Sequence, residues 1–326
     1  MSHTKKKPMH LEPSKLGTKE YWDELYTNEI SNHAHDPSDT GTVWFDDSDA
    51  EAKIIEFLSS PAFRSSILLP HPSPPPPPSS SSLGEGQSAE QKISFLDLGT
   101  GNGSLLFGLR DAEAEEDEDG DGDGEKRYRP WGRMLGVDYS ARSVELARRI
   151  ERERCRGETR KENDTGNSTP APKDDAAAEN EAEEPEVRFQ EHDILRGSPA
   201  PLLTGPQSRG WDVVLDKGTF DAVSLSAETI NNMGHRASEV YRARVLPLVR
   251  PGGVFLVTSC NWTEEELRGW FEGEEEEGEE DGIKGWGFEV AGRVAYPSFS
   301  FGGVKGQTIS TLCFRKVRRG IGEVGK

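Results

Sequence analysis

Short apolar runs alternating with stretches of helical spacing set the pattern of the chain. Ile93-Ser94-Phe95-Leu96-Asp97-Leu98 is apolar, β-branched and aromatic, which suits a strand buried on both faces. Glycines follow on alternate positions, Gly99, Gly101 and Gly103, and then Ser104-Leu105-Leu106-Phe107-Gly108-Leu109 resumes with helical spacing. Further strands are predicted at 133–138, 187–193, 211–216 and 254–259. Between them, Ser140 caps a helix through Val144, Leu146, Ala147 and Ile150, and another helix covers about 236–249, ended by Pro251-Gly252-Gly253. Upstream, Thr18 stands in N-cap position for an aromatic-rich helix. A second one at 48–58 buries Ile54, Ile55, Phe57 and Leu58. Thr263 caps a helix through Leu267 and Phe271, and 288–294 with 308–317 form a closing antiparallel pair. Repeated β-α units predict a parallel, doubly wound α/β sheet.

Stretches of low complexity interrupt this alternation at 70–91, 111–125, 156–186 and 273–282, the first holding a proline run (74–78) and a serine run (79–82). They bury too little apolar surface to be core and fall between predicted elements, where insertions are tolerated. Residues 1–13 are polar and read as a flexible tail. The expected organisation is therefore a single domain over 14–320 carrying these insertions.

Composition changes the picture of partners. Of 326 residues, 59 are Asp or Glu against 39 Lys or Arg, a net charge of −20, which disfavours nucleic acid and anionic membranes and makes a basic protein the natural partner. No run of about 18 apolar residues exists for a membrane span. Cys155, Cys260 and Cys313 have no CxxC spacing, so neither a disulfide framework nor a zinc site is expected, and a reducing, intracellular compartment follows.

The glycine turn after the first strand suits a polar, cofactor-sized ligand, because positive φ and missing Cβ atoms let backbone approach it and the following helix offers N–H groups. A dinucleotide fold favours G-x-G-x-x-G; the alternate spacing here, preceded by Asp97, fits S-adenosylmethionine better, with the acid on the ammonium and backbone N–H groups on the carboxylate. A ligand-free tight turn is the alternative. Asp97, Asp138, Asp193 and Asp216 stand at the carboxyl ends of successive predicted strands, where ligands of open parallel sheets bind. Asp138 is placed to accept the ribose hydroxyls. Asp193 is placed to accept from the adenine amino group, with Ile194 against the ring.

Several stretches together carry a resemblance. Leu16-Gly17-Thr18-Lys19-Glu20-Tyr21-Trp22-Asp23, Leu96-Asp97-Leu98-Gly99-Thr100-Gly101-Asn102-Gly103, Asp216-Lys217-Gly218-Thr219-Phe220-Asp221-Ala222, Thr258-Ser259-Cys260-Asn261-Trp262-Thr263 and Ser298-Phe299-Ser300-Phe301-Gly302-Gly303 resemble the lysine methyltransferases of eukaryotic elongation factor 1-alpha. The branch is the one called Efm-four in fungi and methyltransferase-like protein ten in animals. The resemblance covers 14–316 apart from the insertions. It implies a Rossmann-like seven-strand S-adenosylmethionine-dependent methyltransferase fold, S-adenosyl-L-methionine as cofactor, a cytoplasmic location and a lysine of elongation factor 1-alpha as acceptor. A monomer without a metal is expected.

Residues are assigned on that basis. Trp44, Asp97, Gly99, Thr100, Gly101, Asn102, Gly103, Asp138, Tyr139, Asp193, Ile194 and Asp216 are expected around the donor. Asp216 and Asp221 are expected to orient the acceptor amine, and Lys217, Gly218, Thr219 and Phe220 to line its entry. Lys217 is expected to pair with the two neighbouring acids. Tyr21, Trp22, Trp44 and Trp262 are candidate channel walls, with packing the role of at least two. No general base is assigned. The competing reading is a methyltransferase of this fold acting on another protein, a nucleic acid or a small molecule.

Overall fold

The computed structural model describes residues 8–70, 92–112, 131–165, 187–230, 234–273, 284–297, 299–301, 304–306 and 308–319. One seven-stranded sheet organises them: β1 (Ile93–Leu98), β2 (Trp131–Asp138), β3 (Val187–Glu191), β4 (Trp211–Lys217), β5 (Val249–Ser259), β6 (Trp286–Val294) and β7 (Ser310–Arg318). Their order is β3-β2-β1-β4-β5-β7-β6. Strands β3, β2, β1, β4 and β5 pair in parallel, and β7 inserts antiparallel between β5 and β6, as the predicted closing pair requires. The order reverses between β1 and β4, which puts the ligand crevice above their carboxyl ends.

The helices are α1 (Lys19–His35), α2 (Ala50–Ser59), α3 (Ser104–Ala112), α4 (Ala141–Thr165), α5 (Thr219–Ser224), α6 (Ala237–Val245) and α7 (Glu264–Phe271). Phe220, Tyr241, Leu267 and Phe271 of α5 to α7 pack on one face of the sheet with Leu96, Val214 and Phe255. Ile54, Leu105, Leu106, Val144 and Leu146 of α2 to α4 pack on the other with Phe95, Val213 and Leu256. Every residue of β1 is buried, Ser94 and Asp97 included, and the other four are apolar, as a strand covered on both faces requires. At the opposite end of the sheet from the crevice, Asp212 accepts from Arg250 Nε at 2.6 Å and from the Ser94 N–H at 2.9 Å, joining β4 to β5 and β1.

Several boundaries differ from the sequence reading. The helix expected to reach residue 249 ends at Val245, followed by a 3-10 turn over Leu246–Leu248, because Pro247 has no N–H to continue the α-helical ladder; Pro251 to Gly253 lie inside β5. Strand β3 ends at Glu191, so Asp193 sits in the loop beyond it. Residues 156–165, expected in an insertion, extend α4; residues 111 and 112 close α3. Just before residue 156, Glu151 and Arg154 tie α4 to α3 through Arg110, at 3.0 Å, and Asp111. The remainder of the expected insertions, 71–91, 113–125, 166–186 and 274–282, lies outside the described residues.

The N-terminal segment is docked from His10 onward instead of loose to residue 13, with the His10 ring 5.7 Å from that of Trp270. Arg236 Nη1 donates to Leu11 O at 3.0 Å, Leu11 packs against the core, and Ser14 N–H donates to Leu225 O at 3.0 Å. Residues 1–7 of the expected tail lie outside the described residues.

Candidate active site

The glycine turn forms as its sequence requires. Gly99, Gly101 and Gly103 have φ of 65°, 59° and 84°, a region that penalises any side chain. The space they leave is taken by the chain itself. A Cβ on Gly99 would collide with Thr219 Oγ1, one on Gly101 would stand 2.9 Å from the Tyr26 hydroxyl, and one on Gly103 would stand 2.6 Å from the Phe189 ring. The turn's N–H groups are also engaged internally. Gly99 and Thr100 donate to Val137 O at 2.8 and 3.0 Å, Gly101 to Asp138 Oδ2 at 3.2 Å, Gly103 to Thr100 O at 3.0 Å, and Ser104 to Asn102 Oδ1 at 3.1 Å.

Above the turn lies a cleft with about 260 Å³ of free volume, close to the smaller ligand sites of roughly 300 Å³. Its floor is Leu98, Gly99, Val137 and Asp138 from the ends of β1 and β2. One wall is Ile194 and Leu195 after β3, another is Lys217, Gly218 and Thr219 after β4, and Trp22, Tyr26 and Trp44 of the N-terminal segment close the third. Trp22 and Trp44 stand 5.2 Å apart, ring to ring.

Of the expected donor residues, Trp44, Gly99, Asp138, Tyr139, Asp193 and Ile194 line this cleft. Asp138 is buried and accepts from Ser140 N–H at 2.9 Å, Ser143 Oγ at 2.8 Å and the Gly101 N–H, so most but not all of its acceptor capacity is used. Burial raises its carboxyl above the ordinary range. Asp193 caps the turn that follows it, accepting from Leu195 N–H at 2.9 Å, and pairs with Arg196 at 3.3 Å.

The others are elsewhere. Asp97 is buried beneath the turn, where desolvation pushes its carboxyl up to about 7, and it does not line the cleft. Thr100, Gly101 and Gly103 fold into the turn. Asn102 caps α3 and donates from Nδ2 to Thr40 O at 2.9 Å, fastening the N-terminal segment.

The acceptor assignments need a larger correction. Neither Asp216 nor Asp221 lines the cleft. Asp216 accepts from the N–H groups of Thr219 and Phe220, at 2.9 and 3.1 Å, and is buried beneath α5. Asp221 accepts from Cys260 N–H at 2.9 Å and from the Ser259 hydroxyl. Both join α5 to its surroundings. Phe220 is likewise a core residue, 4.9 Å from the Phe271 ring. Lys217 pairs with neither acid: its Nζ lies 3.1 Å from Trp44 O and 3.3 Å from Glu51. Among the candidate walls, Trp22 and Trp44 line the cleft, whereas Trp262 is buried with its Nε1 on Ser224 Oγ at 3.1 Å and Tyr21 does not reach it.

No family model matches the chain. The protein-lysine N-methyltransferase EFM4 of Saccharomyces cerevisiae is 34% identical to it over 308 residues, covering 94% of this chain and 96% of the relative. The corresponding efm4 of Schizosaccharomyces pombe is also 34% identical, over 94% of this chain and 95% of the relative. The chain belongs to the EFM4 family of protein-lysine N-methyltransferases. A more distant relative, EEF1A lysine methyltransferase 2 of Danio rerio, is 27% identical over 93% of this chain and 89% of its own.

As an EFM4-family enzyme the chain uses S-adenosyl-L-methionine as methyl donor. The cleft suits it. Asp138 retains capacity for a ribose hydroxyl, and Ile194, Leu195, Ala222 and Val223 offer apolar walls for the adenine plane. The Trp44 indole N–H is buried with no partner among the described residues, an unsatisfied donor at the cleft wall.

Cleft residues that the sequence reading passed over include Lys19, Tyr26, His192, Arg196 and Glu228. Tyr26 follows Trp22 by four positions on α1, and that spacing was the available signal. Glu228 is brought to the cleft by its pairing with Arg196, which no local pattern announces.

Proposed function

We propose that the chain methylates a lysine of translation elongation factor 1-alpha. The observation that carries this reading is the match along nearly its whole length to EFM4 and to the EEF1A lysine methyltransferase 2 of Danio rerio. When bound, the donor supplies a methyl group activated by its sulfonium. The acceptor amine must be neutral to take it, and free lysine has a pKa near 10.4. Entry between Trp22, Trp44 and Gly218 strips water from the ammonium and favours the neutral form. With Asp216 buried beneath α5 and Asp221 turned toward Ser259 and Cys260, neither carboxylate lines the cleft to oppose that loss of charge. The chain therefore acts by desolvating and positioning the amine, and the released proton passes to solvent.

A cytoplasmic, monomeric enzyme that does not bind nucleic acid belongs to the same proposal, supported by the net charge of −20 and by Cys155, Cys260 and Cys313 standing outside any disulfide. Among the described residues, no helix is long and apolar enough to cross a membrane. Incubation with methyl-labelled donor and purified elongation factor 1-alpha, followed by peptide mass spectrometry, should place the label on one lysine. Label on a nucleic acid, a metabolite or another protein of a whole-cell lysate, with none on elongation factor 1-alpha, would overturn the reading.

A further inference from the structure

The internal hydrogen bonding of the glycine turn leaves a question about the donor's amino-acid end. Its carboxylate was expected on the turn's N–H groups, yet those of Gly99, Thr100, Gly101, Gly103 and Ser104 are spent within the chain, which leaves the turn a single donor, the Asn102 N–H, among the described residues. A carboxylate brought into a partly dry cleft needs a cation or several donors in their place. The acids Glu20, Asp138, Asp193 and Glu228 on the walls make that need sharper.

Cationic side chains reaching the cleft are Lys19, Arg196 and Lys217. Arg196 is committed to Asp193 at 3.3 Å and to Glu228, beside β3. Lys19 pairs with Asp23 at 2.7 Å and lies 5.6 Å over the Tyr139 ring, at the end of β2. Both stand on the nucleoside side of the cleft. Lys217 stands at the other side, at the end of β4, whose Asp216 is level with Leu98 of β1, next to the glycine turn. Its side chain is 12% exposed, and its ammonium lies 3.1 Å from Trp44 O and 3.3 Å from Glu51. Three N–H donors are available on an ammonium, so one remains. Glu51 Oε1, the oxygen that faces the ammonium, also accepts from Ser104 Oγ at 2.6 Å, which fixes it beside the turn.

We infer that Lys217 binds the carboxylate of the donor's methionine moiety, with Glu51 and the Trp44 carbonyl holding its ammonium toward the turn. This rests on S-adenosyl-L-methionine being the donor. The lysine of the Asp-Lys-Gly-Thr stretch then serves the donor, not the acceptor. Trp44, whose carbonyl it holds, is fixed at the cleft wall by the same contact.

Binding of two product-like ligands separates this role from a structural one. S-adenosyl-L-homocysteine carries the carboxylate; S-adenosyl-3-thiopropylamine is the same molecule without it. Titration calorimetry on the parent should show the first bound about tenfold or more tightly than the second. In Lys217→Met, which keeps the aliphatic stem, that ratio should fall toward one through loss of S-adenosyl-L-homocysteine affinity, and Lys217→Arg should restore most of it. Equal weakening of both ligands in Lys217→Met would mean that the lysine only pins Trp44 and Glu51, and would overturn the inference, as would an unchanged ratio. Should Lys217→Met not fold, a ratio near one in the parent itself overturns it, and a retained ratio in a folded Lys217→Gln does the same. A parent that binds neither ligand refutes the donor instead.

Discussion

Tyr241 Oη donates to Asp216 Oδ2 at 2.6 Å, both residues being buried between β4 and α6. That bond, with the N–H groups of Thr219 and Phe220, makes Asp216 the anchor of α5. Tyr241→Phe removes one donor to a desolvated carboxylate and should cost about 1–3 kcal/mol of stability. Urea unfolding measures this, and donor affinity under native conditions should stay close to the parent's. Asp216→Asn should be worse, because its amide NH₂ would face N–H donors. An Asp216→Asn protein as stable as the parent but slow in transfer would return Asp216 to the acceptor site.

Burial also makes stability depend on pH. Asp97 and Asp216 are each pushed up to about 7 in the folded chain, against about 3.9 for an unfolded aspartate. Between about pH 4 and 7 the folded state therefore holds more protons than the unfolded state, and stability falls as pH rises through that window. Each group contributes a slope of up to about 1.4 kcal/mol per pH unit. Unfolding midpoints at pH 5, 6 and 7 should decline, and Asp97→Asn should decline less steeply. Parallel curves for the two proteins would show that Asp97 is ionised across the range.

The seven strands were legible because β1, β4 and β5 are buried on both faces and their sequences record it. The glycine turn was legible because positive φ at Gly99, Gly101 and Gly103 demands that residue. Side-chain direction was harder. Successive residues of a strand point to opposite faces, so Lys217 in the cleft places Asp216 away from it, under α6. Read from sequence, an acid at a strand end looks like a ligand group whichever way it points. On α5, Thr219, Ala222 and Val223 reach the cleft while Phe220, Asp221 and Ser224 are buried, which the helical period allows but the apolar pattern does not distinguish. Contacts such as Arg236 with Leu11, 225 positions apart, left no local trace, and the tail they fasten read as loose.

Shortening the proline- and serine-rich stretch tests the expectation of a dispensable insertion. Its flanks are fixed independently of it. Leu69 N–H donates to Gly252 O at 3.2 Å, Leu69 O accepts from Arg250 Nη2 at 2.6 Å, and Ile93 begins β1. Replacing residues 71–91 by a Gly/Ser linker of about half the length changes the closure entropy by only about 0.6 kcal/mol. The melting temperature should move by a few degrees at most, with donor affinity unchanged. Loss of soluble protein on this exchange would show that the stretch packs on the domain.

The contact between Gly99 and Thr219 couples the glycine turn to α5. Thr219 Oγ1 donates to Leu98 O at 2.6 Å and occupies the place where a Cβ on Gly99 would go. Gly99→Ala must therefore bear the strain of φ 65° in an alanine, about 1 kcal/mol, and also displace that hydroxyl. The sum should exceed about 2 kcal/mol and lower donor affinity, since Gly99 and Thr219 both line the cleft. Thr219→Ala in the same chain removes Oγ1 but leaves its Cβ 3.1 Å away, so relief should be partial. A double-mutant cycle followed by urea unfolding should show the pair less destabilised than the sum of the single changes, by about 0.5 kcal/mol or more. Simple additivity would mean that the turn moves away from α5 when Gly99 is replaced, and that the two elements do not share one packed wall of the cleft.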